Sequence, residues 1–166
     1  MSEGPVIRGA PAIRGARFGH VNVIARDWRS LADWYSRVFG CEFVPPERDY
    51  SGPDLAAGTG VPGASLRGAH LRLPGLGDAG PTLEIYQYGS MPEGLPPAMN
   101  RPGFQHIAFA VPSVAEARAA VLAAGGRSIG EVVTLETADG RFVTWAYVTD
   151  PEGNGIELQS WSETRL

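Results

Sequence analysis

Apolar and polar residues alternate from His20 to Ala25. Val21, Val23 and Ala25 fall on one side of an extended chain, and His20, Asn22 and Ile24 on the other. A period of two predicts a strand. The period then changes. Leu31, Trp34, Tyr35, Val38 and Phe39 recur at helical spacing and form one apolar stripe, with Asp27 placed to cap the helix start. Further on, Ala64–Leu73 and Thr82–Tyr88 read as strands.

The same succession returns 86 residues later. Phe104-Gln-His-Ile-Ala-Phe-Ala-Val111 repeats Phe18-Gly-His-Val-Asn-Val-Ile-Ala25, with Ile107, Phe109 and Val111 opposite His106, Ala108 and Ala110. Ser113 and Glu116 then form a capping box ahead of Val114, Ala117, Val121 and Leu122, and Gly125-Gly126 end the helix. Arg141–Thr149 and Gly155–Trp161 close the second copy, after the turn Asp150-Pro-Glu-Gly-Asn154. Between helix and last strand each copy has room for two strands. The chain therefore divides into a tail (1–16), a first βαβββ unit (17–91), a linker holding Pro96-Pro97 (92–102) and a second βαβββ unit (103–162). The expected class is α+β: two βαβββ modules forming a curved mixed sheet around a shared metal cavity. The first copy carries extra residues, which fit in Pro45–Gly68 and Pro74–Pro81. The Ile7-Arg-Gly-Ala and Ile13-Arg-Gly-Ala echo in the tail reads as chance in a mobile segment.

Composition narrows the chemistry. The chain has 166 residues, and all 14 basic ones are arginine. Without lysine there is no Schiff base and no Walker-type phosphate loop. A single cysteine, Cys41, excludes an intrachain disulfide and a thiolate zinc knuckle, and it reads as core. The formal charge of −4 and the scattered arginines argue against nucleic acid. No apolar run reaches the ~18 residues of a membrane span. The start lacks the apolar core of a signal peptide, so the expected location is cytoplasmic.

Only three histidines exist, and two of them, His20 and His106, are copies of each other. Glu84 and Glu157 are also copies, in Leu83-Glu84-Ile85 and Ile156-Glu157-Leu158. Each sits on the strand face opposite its helix. If the two sheets curve round one cavity, His20, Glu84, His106 and Glu157 converge there. Two imidazoles and two carboxylates suit one divalent ion among nickel, cobalt, zinc, manganese and iron. Two open positions on a six-coordinate ion fit a small chelating substrate. Such an ion stabilises charge on oxygen as a neighbouring C–H proton leaves, and Glu157 or Glu84 can serve as base. A plainer alternative treats the duplicated glutamates as cross-strand pairing partners. Asn22, Tyr86 and Tyr88 share the Glu84 side, and Gln159 and Trp161 share the Glu157 side, as candidate substrate contacts. His70, on a third strand and without a duplicate, reads as structural.

Phe-x-His-Val/Ile on the first strand, Asp-Pro-Glu-Gly-Asn-x-Ile-Glu-Leu at the end and the internal duplication resemble the vicinal-oxygen-chelate superfamily. That group contains glyoxalase I, methylmalonyl-CoA epimerase, extradiol dioxygenases, fosfomycin-resistance enzymes and bleomycin-binding proteins. The resemblance implies metal ligands at His20, Glu84, His106 and Glu157, and the set is most similar to that of bacterial-type glyoxalase I. It implies a lyase or isomerase acting through a metal-stabilised enediolate, with Glu157 as ligand and base. An Fe(II)-dependent extradiol dioxygenase and a metal-free binding or resistance protein are the alternatives. A dioxygenase would want an extra acid-base histidine, and only His70 is available. The resemblance also offers Arg101 for the anionic end of a substrate, against the plainer reading of an exposed linker arginine, and implies a homodimer. The Pro45–Gly68 segment is unlike glyoxalase I, which weighs against a glutathione adduct as substrate.

Overall fold

The computed structural model describes residues 13–94 and 98–165. The first half of the tail echo, Ile7–Ala10, and the Pro96-Pro97 pair of the linker lie outside the described residues. The second half of the echo, from Ile13, forms a turn and adds no edge strand.

The first half of the chain runs β1 (His20–Ile24), α1 (Trp28–Phe39), β2 (Glu42–Ser51), α2 (Pro53–Thr59), β3 (Ser65–Arg72) and β4 (Thr82–Tyr88). Its four strands form one sheet in the order β1-β4-β3-β2, with β1 parallel to β4 and the other pairs antiparallel. The second half runs β5 (His106–Ala110), α3 (Val114–Ala123), β6 (Arg127–Ser128), β7 (Val133–Glu136), β8 (Phe142–Thr149) and β9 (Gly155–Ser162). Its sheet has the order β5-β9-β8-β6, with β7 also pairing β8. The class is α+β, and each half is a βαβββ unit. Two details depart from a strict repeat. The extra residues of the first unit include the short helix α2, and the second strand of the second unit is split into β6 and β7.

Local chemistry sets the helix ends. Asp27 accepts from the Ser30 N–H at 3.1 Å, and those contacts with Ser30 hold its carboxyl below the usual range. Gly40 ends α1 in the left-handed region, at φ 71°. Ser113 accepts from the Glu116 N–H at 3.3 Å. Pairing along β2 breaks between Val44 and Arg48, where Pro45 and Pro46 have no N–H to give.

The two halves meet through their helical sides. Phe39 of α1 stacks on Phe109 of β5, with ring centroids 3.9 Å apart. The Trp34 indole N–H donates to the Ala124 carbonyl at 2.9 Å. A single buried cluster joins Leu31, Trp34 and Tyr35 to Leu83 and Ile85 of one sheet and to Val148, Ile156 and Leu158 of the other. Cys41 is buried as expected, and burial pushes its thiol up to about 11, which leaves no reactive thiolate.

Polar ties cross the same seam. Glu152 accepts from the backbone N–H groups of Arg26 and Asp27, at 2.6 and 2.9 Å. Asp150 is fully buried. It accepts from the Tyr35 hydroxyl at 3.2 Å, from the Glu152 and Asn154 N–H groups at 2.9 Å each, and from the Asn154 amide at 2.7 Å. Burial raises its carboxyl above the ordinary value, and these donors pull it back. Asp150→Ala leaves several buried donors without an acceptor, so it should lower the unfolding free energy in urea by about 3 kcal/mol. A loss under ~0.5 kcal/mol, the range of surface substitutions, would show that this carboxylate does not hold the halves together.

Candidate metal centre

Because the helix-bearing faces of the two sheets share one core, the opposite face of each sheet lies outside it. Those outer faces carry the residues selected by the repeat. On the first, His20 pairs in register with Thr82, Asn22 with Glu84, and Glu84 with His70. The Glu84 carboxylate sits among three donors. His20 Nε2 lies 3.5 Å from Oε2, the Asn22 amide donates to Oε2 at 2.8 Å, and His70 Nε2 lies 3.0 Å from Oε1. One ligand atom from each of His20, His70 and Glu84 lies within 4.8 Å of the others, close enough for one ion. Tyr86 completes the surroundings, its ring meeting that of His70 edge-on at 6.2 Å. Burial, then Glu84, raises its phenol above the ordinary value. Gly68 makes room for that ring, since a β-carbon there would collide with Tyr86 and the Ile85 carbonyl.

On the second outer face, His106 Nε2 lies 3.0 Å from Glu157 Oε2. Tyr147 pairs in register with Glu157, and its ring lies 5.2 Å from that of His106. Burial raises the Tyr147 phenol first, and Glu157 adds to it. Gly155, in register with His106, lets β9 approach the Gln105 carbonyl where a side chain would collide. Gln159 and Trp161 lie on this face and bond to each other, indole N–H to amide oxygen at 2.8 Å. Arg141 stacks over the Trp161 ring at 4.8 Å.

Within one chain, then, the four predicted ligands stand as two pairs, one per sheet, and not as one cluster. Asn22 lies where expected, bonded to Glu84. Tyr86 adjoins the first group, and Tyr88 lies further along the same face. Arg101 is exposed, and its N–H donates to the Ala98 carbonyl at 3.1 Å. Two residues enter that the repeat did not select. His70 stands with the first group, its Nε2 3.0 Å from Glu84, and Tyr147 faces Glu157. Burial lowers His70 below the ordinary imidazole value, against the pull of Glu84, which favours the neutral ring that a metal needs. The donors are nitrogen and carboxylate oxygen, with His70, Glu84 and Glu157 half-buried and His20 and His106 exposed, and they suit a divalent transition ion.

Comparison with known proteins agrees with this fold. Residues 17–158 match the family described as Glyoxalase/Bleomycin resistance protein/Dioxygenase superfamily. A glyoxalase family protein from Bacillus cereus superposes with a TM-score of 0.73 at 17% identity, covering 92% of this chain and 99% of that one. A glyoxylase/bleomycin resistance protein/dioxygenase domain from Frankia sp. EAN1pec gives 0.55 at 18% identity, covering 90% and 95%. A family enzyme from Burkholderia phytofirmans PsJN gives 0.52 at 17% identity, covering 87% and 98%. No curated protein matches the sequence. No helix among the described residues is long and apolar enough to cross a membrane. The matched span, the duplicated βαβββ unit and the repeated His/Glu pair together place this chain in the glyoxalase/bleomycin resistance protein/dioxygenase superfamily.

Proposed function

We propose that this protein is a divalent-metal-dependent isomerase or lyase that removes a proton next to a carbonyl in a small chelating substrate. The observation that carries this reading is the repeated pair: a histidine and a glutamate within 3.5 Å on one outer sheet face and within 3.0 Å on the other. An ion held by His20, Glu84, His106 and Glu157 would act as a Lewis acid toward the substrate's oxygens. Glu157 takes the proton. Asn22 orients Glu84 through its 2.8 Å hydrogen bond. Tyr86, Gln159 and Trp161 supply the polar and aromatic wall, with Tyr88 and Arg101 as outer contacts.

The packing of the halves supports a homodimer as the working form. The two pairs face outward on opposite sheets, so a second copy must bring its His106–Glu157 face over the first copy's His20–Glu84 face. Apolar side chains on these faces favour such cover. Ile24 and Tyr50 are exposed on one, and Val133, Leu135 and Trp161 on the other. β1 and β5 are edge strands with an open side. Two-fold pairing builds the four-ligand set twice.

The test is isotope exchange. Metal-loaded protein in D2O, offered small α-hydroxycarbonyl compounds, should place deuterium at the carbon beside the carbonyl, read by NMR. Oxygen uptake with catechols under Fe(II) and no exchange would assign ring cleavage instead. Purified protein that neither holds nor takes up a divalent ion would be a binding protein.

A further inference from the structure

We infer that the metal is loaded by the first unit alone, with His70 as its third ligand beside His20 and Glu84. This rests on the metal-dependent reading above. The two sheets are unequal at one register position. Opposite Glu84 across β3 and β4 stands His70, whereas opposite Glu157 across β8 and β9 stands Tyr147. The first unit thus offers two imidazoles and a carboxylate from three adjacent strands, their ligand atoms within 4.8 Å of one another. The second offers one imidazole and one carboxylate. Two histidines and a carboxylate on one face form a set that holds a divalent ion and leaves its other positions open.

The surroundings of His70 fit a ligand. Its Nδ1 lies 2.8 Å from Thr82 Oγ1, while Nε2 points at Glu84. With the ring proton on Nε2, that N–H donates to Glu84 and Nδ1 accepts from the Thr82 hydroxyl. With metal, Nε2 needs its lone pair. The ring proton then sits on Nδ1 and the same hydroxyl accepts it. A hydroxyl both donates and accepts, so Thr82 holds the ring in either state. His70 sits on β3 between Ala69 and Leu71, both buried, which fixes its direction. In the assembled site His106 would join His20, His70 and Glu84 as a fourth ligand, which leaves two positions of a six-coordinate ion for a chelating substrate. The three from the first unit suffice to retain it, and Glu157 is left able to move a proton.

Co(II) titration of metal-stripped protein tests this, read by visible absorption and calorimetry. His70→Ala should weaken binding by about 100-fold, and Thr82→Val, which keeps the imidazole, by about 10-fold. His106→Ala/Glu157→Gln should stay within about 10-fold of the unmodified chain. Paramagnetically shifted imidazole N–H signals count the bound rings directly. The double variant should show two, and adding His70→Ala should leave one. Unchanged affinity and an unchanged signal count in His70→Ala would overturn the proposal. If exchange catalysis survives in that variant, the proton-transfer reading still stands. No Co(II) uptake by the unmodified chain would overturn both.

Discussion

Glu157→Gln should lower deuterium exchange by about 10²–10⁴-fold, the usual contribution of a positioned general base. The substitution keeps the shape of the side chain and a carbonyl oxygen toward His106, now 3.0 Å from Oε2. It removes the proton acceptor. Glu84 is the weaker candidate for that role because both its oxygens are engaged, Oε1 with His70 and Oε2 with Asn22. Glu84→Gln should therefore act mainly by losing metal, and excess Co(II) should restore part of the rate. Excess Co(II) should not rescue Glu157→Gln, whose loss is chemical. Exchange at the unmodified rate in metal-loaded Glu157→Gln would remove Glu157 as the base.

The outline of this fold was readable because its signals are local. Alternation at His20–Ala25 and His106–Val111, the caps at Asp27 and Ser113 and the stripe of α1 each depend on neighbours in sequence. The duplication added which residues share a face. It could not say what that face meets. Whether two sheets curve round one cavity or turn their backs depends on long-range packing, and here Phe39, Trp34 and Tyr35 decide it by reaching Phe109, Ala124 and Asp150. A hint was available: α1 carries aromatics where α3 carries alanines, more apolar bulk than one sheet needs to cover. His70 has no duplicate, so the repeat does not select it. Buried Ala69 and Leu71 on either side set its direction. Its partner Glu84 follows only from the β3–β4 register, which is set across the turns between Arg72 and Thr82. Tyr147 likewise meets Glu157 only through the β8–β9 register. The helix α2 lies in a Gly/Pro-rich segment whose pattern carries no helical period.

A heterodimer of two inactive chains should show about half the unmodified activity if the site spans two copies. One chain carries His20→Ala/Glu84→Gln, which destroys the first unit's ligands. The other carries His106→Ala/Glu157→Gln, which destroys the second unit's. Each homodimer lacks half of every site: one loses the ion with His20 and Glu84, the other the base with Glu157, and each should fall by at least about 10²-fold. A heterodimer is different. One of its two sites combines both damaged faces, and the other combines both intact ones, so one site in two works. Co-expression with two distinct histidine-free affinity tags isolates that species. The expected gain is large because the structure separates the half-sites onto opposite outer faces of each chain. If the four ligands instead met within a single chain, every chain in the heterodimer would carry damage in its own site, and activity would stay at the homodimer level.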